Sequence, residues 1–462
     1  MSTLWSGRFD TAPDSTAFDF GKSFAVDRRH FEDDVRGSIA WAEALGAAGV
    51  LSADETGAIT GALNDMLREA RTNPAFVSGD DEDVHTFVER QLVERVGETG
   101  RRLHTGRSRN EQVSLDTRLY LRRRIPALQA AVADLIRALL DLAERSGDAL
   151  MPAYTHLRRA QPVLAAHFLL AHAAAIRRDH ARLAAATAEA DALPLGSGAV
   201  AGTNYPIDTA ALARVLGFSR VVPNSLDASS DRDFVASFLH ACALGMVHLS
   251  RLAEDLIIFS TEEFGFFELS DAASTGSSMM PQKKNPDPLE LVRGKAGRAI
   301  GRLTGWLVTM KGLPGGYNKD LQEDKEALFD AELTLASSLD VVAVVVRGLA
   351  FDAGRAREAA GGLLLATDVA DYLVSRGLPF RRAHELVGSM TRRLLAEGRD
   401  FESLTLEEWR SFSDAFEADV IARVTAPASV AARATPQSTR PEAVRRALGE
   451  LRAWLDGLPG VP

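Results

Sequence analysis

The sequence predicts an all-α protein: a central bundle of long helices flanked by two smaller, mainly helical domains. Three observations support this fold class. Apolar residues recur at helical spacing over long stretches, Gly-, Pro- and Asn-rich segments separate those stretches, and alternating strand patterns are almost absent. With 462 residues, the chain is also too long for one simple core.

The clearest helical pattern runs over about residues 111–145. One apolar stripe along it consists of Leu128, Val132, Leu135, Leu139 and Leu142. Pro126 is expected to kink this helix. Similar stretches cover about residues 162–191, 231–260, 286–311 and 323–349. Segments 193–208 and 311–320 favour turns, so they are expected to separate the helices.

These patterns divide the chain into three predicted domains. Residues 1–110 form an N-terminal domain of shorter helices, residues 111–350 the long-helix bundle, and residues 351–462 a small C-terminal domain. Helices of roughly 40 Å, at about 1.5 Å per residue, present more apolar surface than one chain readily covers. We therefore expect several chains to share the bundle.

Composition limits the possible functions. The net charge of −10 disfavours broad nucleic-acid binding, so a small-molecule partner is expected. A single cysteine, Cys242, fits a reducing compartment, and the N-terminus lacks the layout of a signal peptide. We therefore predict a cytoplasmic protein. The most apolar run, residues 241–260, is interrupted by charged residues and is predicted to be a buried helix rather than a membrane span.

Two polar clusters precede or separate the long helices. In HTGRSRNEQ, residues 104–112, Arg107, Arg109 and Asn110 stand just before a predicted helix start, where they could bind carboxylates. A solvated basic loop is the simpler interpretation of this cluster alone. In YTHLRRAQP, residues 154–162, His156 follows Thr155, and a lone histidine is more often structural than catalytic.

The third cluster is TGSSMMPQKKNPDPLE, residues 275–290. A mobile Gly-Ser-Ser loop precedes two lysines, and Asn285 and Pro286 suit the cap and first position of a helix. Cations and a helix start near a serine would lower the cost of ionising it and would attract an anionic substrate. No Gly-x-Ser-x-Gly elbow or zinc-binding spacing is present, so hydrolase and metalloenzyme interpretations are weak. We expect neither a metal nor a cofactor.

TGSSMMPQKKNPD resembles the signature of the fumarase/aspartase superfamily, and its QKKN segment resembles the argininosuccinate lyase branch. LWSGRF at 4–9, SRNEQV at 108–113 and GYNKDLQEDKEALFDAE at 316–332 support that branch. The resemblance implies a fumarase/aspartase-like fold and a homotetramer with shared active sites. It also implies reversible cleavage of argininosuccinate to arginine and fumarate.

The resemblance also implies a role for each site residue. Ser277 matches the family's catalytic base, Lys283 and Asn285 match groups that hold the developing dianion, and His156 matches the catalytic histidine with Glu290 as its partner. Carboxylate-binding positions are matched by Ser23, Arg109, Asn110 and Thr155. Tyr317, Gln322 and Lys325 match groups that hold the arginine side, and His85 falls at a site position that can assist.

Two other functions are compatible with these residues. The first is a sibling lyase acting on adenylosuccinate or aspartate, from which the 316–332 stretch distinguishes the argininosuccinate branch. The second is a structural role like that of the family's lens crystallins. The retained Ser277, His156 and Lys283 argue against a purely structural protein but leave a second role open.

Overall fold

The computed structural model of the chain describes residues 14–459, so the LWSGRF motif at 4–9 lies outside the described residues. Most of the described chain is helical, which confirms the all-α prediction. Five helices exceed 23 residues: Arg109–Ser146, Ala165–Ala190, Asp233–Phe259, Asp287–Met310 and Asp324–Gly348. Their bounds agree with the predicted stretches to within three residues, and the first helix continues through Pro126.

Shorter helices make up most of the rest. They are Ser15–Phe20, Phe24–Asp27, Phe31–Ala47, Ala53–Thr72, Val84–Val96, Thr209–Val215, Ser225–Ser230, Ala353–Ala359, Ala366–Ser375, Phe380–Glu397, Leu406–Phe412, Val420–Arg423, Ala426–Ala432 and Pro441–Asp456. Single 3-10 turns lie at Arg28–His30, Asp271–Ala273, Gly362–Leu365 and Phe401–Ser403, and longer ones at Gly97–His104 and Lys319–Glu323. Side-chain caps start several helices; for example, Ser52 and Glu55 form a reciprocal capping box before Ala53–Thr72.

Three small antiparallel pairs are the strands of the described chain. Leu150–Thr155 pairs with Arg158–Leu164, Phe267–Glu268 with Ala350–Phe351, and Thr275–Gly276 with Lys284–Asn285. The first pair is termed the 150–164 hairpin. Its second strand includes residues 162–164, which were predicted to form the start of the following helix. Pro162 lies in its second strand, where the missing N–H and fixed φ suit an edge better than a helix interior.

The chain folds as two compact units. The first comprises the described residues up to Leu128 together with Ala181–Ala243 and Arg298–Thr334, and the second comprises Gln129–His180, Leu244–Gly297 and Leu335 onward. The first unit contains an apolar core that includes fully buried Trp41 and Leu63. The second has a core near its C-terminal end around Trp409. The three-domain division stays a prediction.

The Asp233–Phe259 helix is apolar and long enough to span a membrane, yet 61% of its most apolar window is buried within the protein. That burial is typical of a core helix, as the sequence predicted.

Candidate active site

The predicted site residues divide between the two units. Ser23, His85, Arg109, Asn110, Tyr317, Gln322 and Lys325 belong to the first unit, and Thr155, His156, Ser277, Lys283, Asn285 and Glu290 belong to the second. The two sets differ in burial and in local partners.

His85 lies on the first turn of the Val84–Val96 helix. Asp83 caps that helix, because its carboxylate accepts a 2.7 Å hydrogen bond from a backbone N–H of the same turn. The Nδ1 of His85 lies 2.5 Å from Asp34 Oδ2, and the side chain is 5% exposed. Burial alone would lower the pKa of His85, but attraction to Asp34 and two further aspartates raises it. The surrounding aspartates therefore favour the charged form of the imidazole.

Ser23 is tied to the start of the same helix. Its backbone N–H donates to the carbonyl of Glu82 at 2.8 Å, and its hydroxyl donates to Asp27 Oδ2 at 2.5 Å. The other oxygen of Asp27 accepts the backbone N–H of Val84 at 3.0 Å. Ser23 and His85 are thus positioned by one hydrogen-bonded corner of the first unit.

Arg109 opens the longest helix with its guanidinium among carboxylates. Its Nη1 donates to Asp83 Oδ2 at 3.2 Å, and carboxylate oxygens of Glu82 and Glu89 lie 3.9 and 4.0 Å from the group. The side chain is 25% exposed. A substrate carboxylate would therefore have to compete with, or displace, these acidic neighbours.

Glu111 anchors the start of that helix. Its Oε1 accepts the N–H of Ser108 at 3.1 Å, while the N–H of Asn110 donates to Ser108 Oγ at 3.2 Å. Burial raises the pKa of Glu111 to about 7, although hydrogen bonds from backbone N–H groups, including that of Gly198, act to lower it. Gly198 has φ +58, and a Cβ there would lie 2.4 Å from Gly202 O, so this contact requires glycine. Asn110 is half-buried, and its side-chain amide makes no hydrogen bond to the described residues.

The solvated-loop interpretation is wrong for Arg107. This side chain is only 7% exposed, and its Nη1 donates to Ser38 Oγ at 3.1 Å. Burial lowers the pKa of Arg107, and the charges of Asp34 and Asp116 oppose that effect. Arg107 is therefore an internal charge partner.

Lys325 belongs to a group of buried ion pairs centred on Asp324, and Tyr317 lies near this group. Asp324 accepts Lys325 Nζ at 3.1 Å and Arg232 Nε at 2.9 Å, and these side chains are at most 3% exposed. Tyr317 is half-buried, and burial raises its pKa to about 12, although the side chain of Gln322 acts to lower it. The phenol therefore stays neutral near pH 7 and keeps its O–H as a donor.

His156 occupies the tip of the 150–164 hairpin in the second unit. Thr155 pairs with Arg158, which leaves His156 and Leu157 as a two-residue turn with φ 55 at both positions. Such turns favour Asn and Gly, because side chains at positive φ are strained. The histidine is exposed and makes no hydrogen bond or ion pair to the described part of the chain. A strained backbone thus presents an unpartnered imidazole.

Ser277 begins a seven-residue loop closed by the Thr275–Gly276 and Lys284–Asn285 strands. Its half-buried Oγ accepts the backbone N–H groups of Met279 at 3.3 Å and Met280 at 3.0 Å. Donors to an oxygen stabilise its ionised form. The loop therefore supplies to Ser277 part of the stabilisation that an alkoxide needs.

The two neighbouring lysines of this loop differ. Lys284 pairs with Asp271 at 2.9 Å and approaches Glu268 at 3.6 Å. The exposed Lys283 ammonium makes no ion pair or hydrogen bond within residues 14–459. Lys283 is thus the lysine whose charge is available to a ligand.

The predicted helix cap at Asn285 is wrong by one residue. Asn285 pairs with Thr275 in a strand, the helix begins at Asp287, and the carbonyl of Pro286 accepts the N–H of Glu290 at 3.1 Å. Pro286 therefore takes the cap position. Glu290 is exposed, with Oε1 3.8 Å from Arg293 Nη2, and its pairing with His156 stays a prediction.

Sequence reasoning missed the buried carboxylates around His85. They are Asp27, Asp34, Asp83 and Asp116, which are at most 5% exposed. The acidic runs FEDDV at 31–35 and DDEDVH at 80–85 were the available signal, because they place carboxylates within apolar helical patterns. Asp34, His85 and Asp116 offer oxygen and nitrogen atoms within 4.8 Å of one another, the spacing of a candidate cation site.

Comparison with known families defines the class. The model of a family described as Lyase matches residues 7–301, more than half of the chain, and that of a family described as Argininosuccinate lyase C-terminal matches residues 363–431. Together with the helical fold, these matches identify a lyase of the fumarase/aspartase superfamily.

Relatives with about half of their residues identical indicate which branch of the superfamily the chain belongs to. The argininosuccinate lyases of Desulforudis audaxviator and Moorella thermoacetica are 50% and 49% identical over 99% and 98% of this chain, and the alignments cover 100% and 98% of those proteins. EDDS lyase is similar in structure: a variant with bound fumarate and a complex with formate are 26% and 27% identical. Both have TM-scores of 0.84 and cover 96% of this chain and 91% and 92% of their own. The chain belongs to the argininosuccinate lyase family.

Proposed function

We propose that this chain catalyses the reversible elimination of fumarate from argininosuccinate, which releases L-arginine. The observation that carries the proposal is the identity of 50% to a named argininosuccinate lyase over 99% of the chain. The reaction breaks a carbon–nitrogen bond, as expected for a lyase of this family. A cytoplasmic location stays a prediction.

The chemistry requires a base for a weakly acidic proton beside a carboxylate. Ser277 is the proposed base, and the N–H groups of Met279 and Met280 at 3.3 and 3.0 Å support it, because they favour the alkoxide. Proton removal leaves an aci-carboxylate dianion. Lys283 and Asn285 are proposed to hold that dianion, and the unpaired ammonium of Lys283 suits this role.

The remaining groups bind or protonate other parts of the substrate. Ser23, Arg109, Asn110 and Thr155 are proposed to bind carboxylates, and Tyr317, Gln322 and Lys325 to hold the arginine side. His85 is proposed to assist at the site. The neutral phenol of Tyr317 can donate, and the imidazolium of His85 adds positive charge. His156, with Glu290 as its proposed partner, is the second proposed catalytic group.

We further propose a homotetramer with active sites shared between chains. Apolar side chains along the Asp287–Met310 helix support it, since Leu291, Ile300, Leu307 and Val308 are 62%, 43%, 51% and 59% exposed. The exposed positions of His156 and Lys283 also support shared sites, because neither forms an ion pair or a hydrogen bond with the described residues of its own chain.

The direct test is an assay of purified protein with argininosuccinate, followed by fumarate absorbance. Adenylosuccinate, malate and aspartate are assayed in parallel, without added metal or nucleotide. We expect fumarate from argininosuccinate alone. Preferential turnover of adenylosuccinate would overturn the substrate assignment while leaving the lyase class intact, and no turnover of any substrate would overturn the proposed activity.

A further inference from the structure

Asp34 and Asp116 form a buried carboxyl pair beside His85. Their side chains are 0% and 1% exposed, and their Oδ2 atoms lie 2.5 and 3.6 Å from His85 Nδ1. One carboxyl oxygen of each aspartate and one ring nitrogen of His85 lie within 4.8 Å of one another. A hydrogen bond between two carboxyl groups requires a proton on one of them, because a carboxylate has no donor.

The partners of the two groups differ. Asp34 Oδ2 lies 2.5 Å from His85 Nδ1 and accepts Gln112 Nε2 at 2.6 Å. Neither oxygen of Asp116 receives a hydrogen bond from another donor in the described chain. A buried carboxylate without donors is unfavourable, whereas a neutral carboxyl can satisfy itself by donating to Asp34. The contacts therefore place the shared proton on Asp116.

The surrounding charges favour the same arrangement. Burial raises the pKa of Asp116 well above its usual range, and the negative charge of Asp34 adds to that effect. Burial would also raise the pKa of Asp34, but His85 lowers it below its usual value. Other titratable or charged groups that act on this cluster are Asp27, His30, Asp33, Asp83, His104 and Arg107.

A metal ion does not account for this geometry. Two ligands of one tetrahedral zinc, each about 2.0–2.1 Å from the metal, are roughly 3.3 Å apart. The 2.5 Å between Asp34 Oδ2 and His85 Nδ1 is too short for a shared ion and fits a direct charge-assisted hydrogen bond. The buried Arg107 guanidinium also supplies positive charge to both aspartates.

We infer that Asp116 is the proton-bearing member of an acid–carboxylate pair with Asp34, and that this pair makes His85 a fixed, charged positioning group. The bond at Nδ1 sets the ring orientation and leaves Nε2–H as the remaining donor. His85 lines a cavity of about 10 Å³ together with Arg109, a proposed carboxylate-binding residue. The role in substrate positioning rests on the proposed function, whereas the location of the proton does not.

Isosteric amides distinguish the two aspartates. Asparagine reproduces a neutral carboxyl donor but not a carboxylate, so Asp116→Asn should leave the charged form of His85 almost unaffected, whereas Asp34→Asn should destabilise it. Asp33→Asn is the matched control, because Asp33 is equally buried on the same helix but binds Arg123 at 2.7 and 3.2 Å. Thermal unfolding of each variant reports the loss of stability separately.

The first measurements need no substrate. Infrared difference spectroscopy of the full protein should show a protonated-carboxyl C=O band that Asp116→Asn removes and Asp33→Asn keeps. NMR of labelled histidine should show a His85 pKa within about half a unit of wild type in Asp116→Asn, and at least about one unit lower in Asp34→Asn. Absence of the band in wild type, or an equal fall of the His85 pKa in both variants, would overturn the assignment.

Kinetics then test positioning. Asp34→Asn should reduce kcat/KM for argininosuccinate by about tenfold to a hundredfold and shift the basic limb of its pH profile to lower pH, because the imidazolium loses its counter-charge. Asp116→Asn should lose less than about tenfold, with the profile of wild type. A profile unchanged in Asp34→Asn would overturn the positioning role. An inactive wild-type protein with the expected band and pKa would reject the proposed function and leave the proton assignment standing.

Discussion

The first unit holds two of its predicted site residues, His85 and Lys325, in networks of buried charges, whereas the second unit presents several predicted site residues on exposed turns. Lys325 and His85 are at most 5% exposed and have carboxylate partners at 3.1 and 2.5 Å. His156 and Lys283 are exposed and have no ion pair within the described residues. The first set is held in place by contacts within the chain, and the second is free to contact a substrate or another chain. Substitutions in the second set should therefore affect turnover more than folding.

Ser277→Ala should produce the largest effect. Loss of the proposed base should lower kcat by about 10²–10⁴-fold, whereas substrate affinity measured by calorimetry changes little, because the hydroxyl contributes little to ground-state binding. Ser278→Ala is the matched control on the same loop and should be much milder. Similar, modest losses in both variants would mean that the serines only shape the loop, and the search for a base would move to His156.

Mixed chains should recover activity if the sites are shared. His156→Asn and Ser277→Ala proteins are each expected to be nearly inactive, but hybrids contain some sites with both groups intact, so activity should rise on the order of tenfold above either parent. Subunit exchange is verified by mass spectrometry. Complete exchange without recovery would place both groups of each site in one chain.

Lys283→Met should reduce kcat/KM by about 10²–10³-fold, because its unpaired ammonium is proposed to stabilise the dianion. Lys284→Met removes an equal charge one residue away, but that charge is already paired with Asp271. Steady-state kinetics should therefore show only a small loss for the second variant. Equal losses would indicate a general field effect of the loop rather than a specific contact.

The smallest expected effect concerns Glu111. Because its folded pKa of about 7 exceeds its ordinary 4.5, the native state binds this proton more tightly, and the free energy of unfolding falls as pH rises from 4.5 to 7. Glu111→Gln should remove this dependence, with a gain of at most about 3 kcal/mol at pH 8 that vanishes near pH 4.

Urea unfolding at fixed protein concentration measures this gain. Glu408→Gln is a control of opposite sign, because hydrogen bonds from Arg399 and Thr405 hold the pKa of Glu408 at about 2. It should lose stability at neutral pH, and the difference should shrink as pH falls. A Glu111→Gln stability curve parallel to wild type would contradict the raised pKa.

Helical periodicity was sufficient to predict the five long helices, because their apolar stripes extend over many turns. The 150–164 hairpin was missed because its strands are short and include Pro152 and Pro162. Its turn could not be inferred either, since Leu157 adopts positive φ there, which is rare for a bulky residue.

The site residues were predicted from motifs, which did not predict the environment of those residues. They indicated polar residues near helix starts, such as Ser277 and Arg109, but not the charges that surround them. Asp34 and Asp116 lie about 80 residues apart in sequence and meet only in the fold. The difference between Lys283 and Lys284 also depends on Asp271, a contact that spacing alone does not encode.

The left-handed turn at His156 and Leu157 limits how this protein can be made more thermostable. Glycine at 157 would relieve a conformational penalty of about 1–2 kcal/mol, and turn statistics would recommend it. The same change would let the neighbouring imidazole sample more directions, because glycine restricts the backbone least. Because His156 is a proposed catalytic group, removing the Leu157 side chain should raise the melting temperature and lower turnover at the same time.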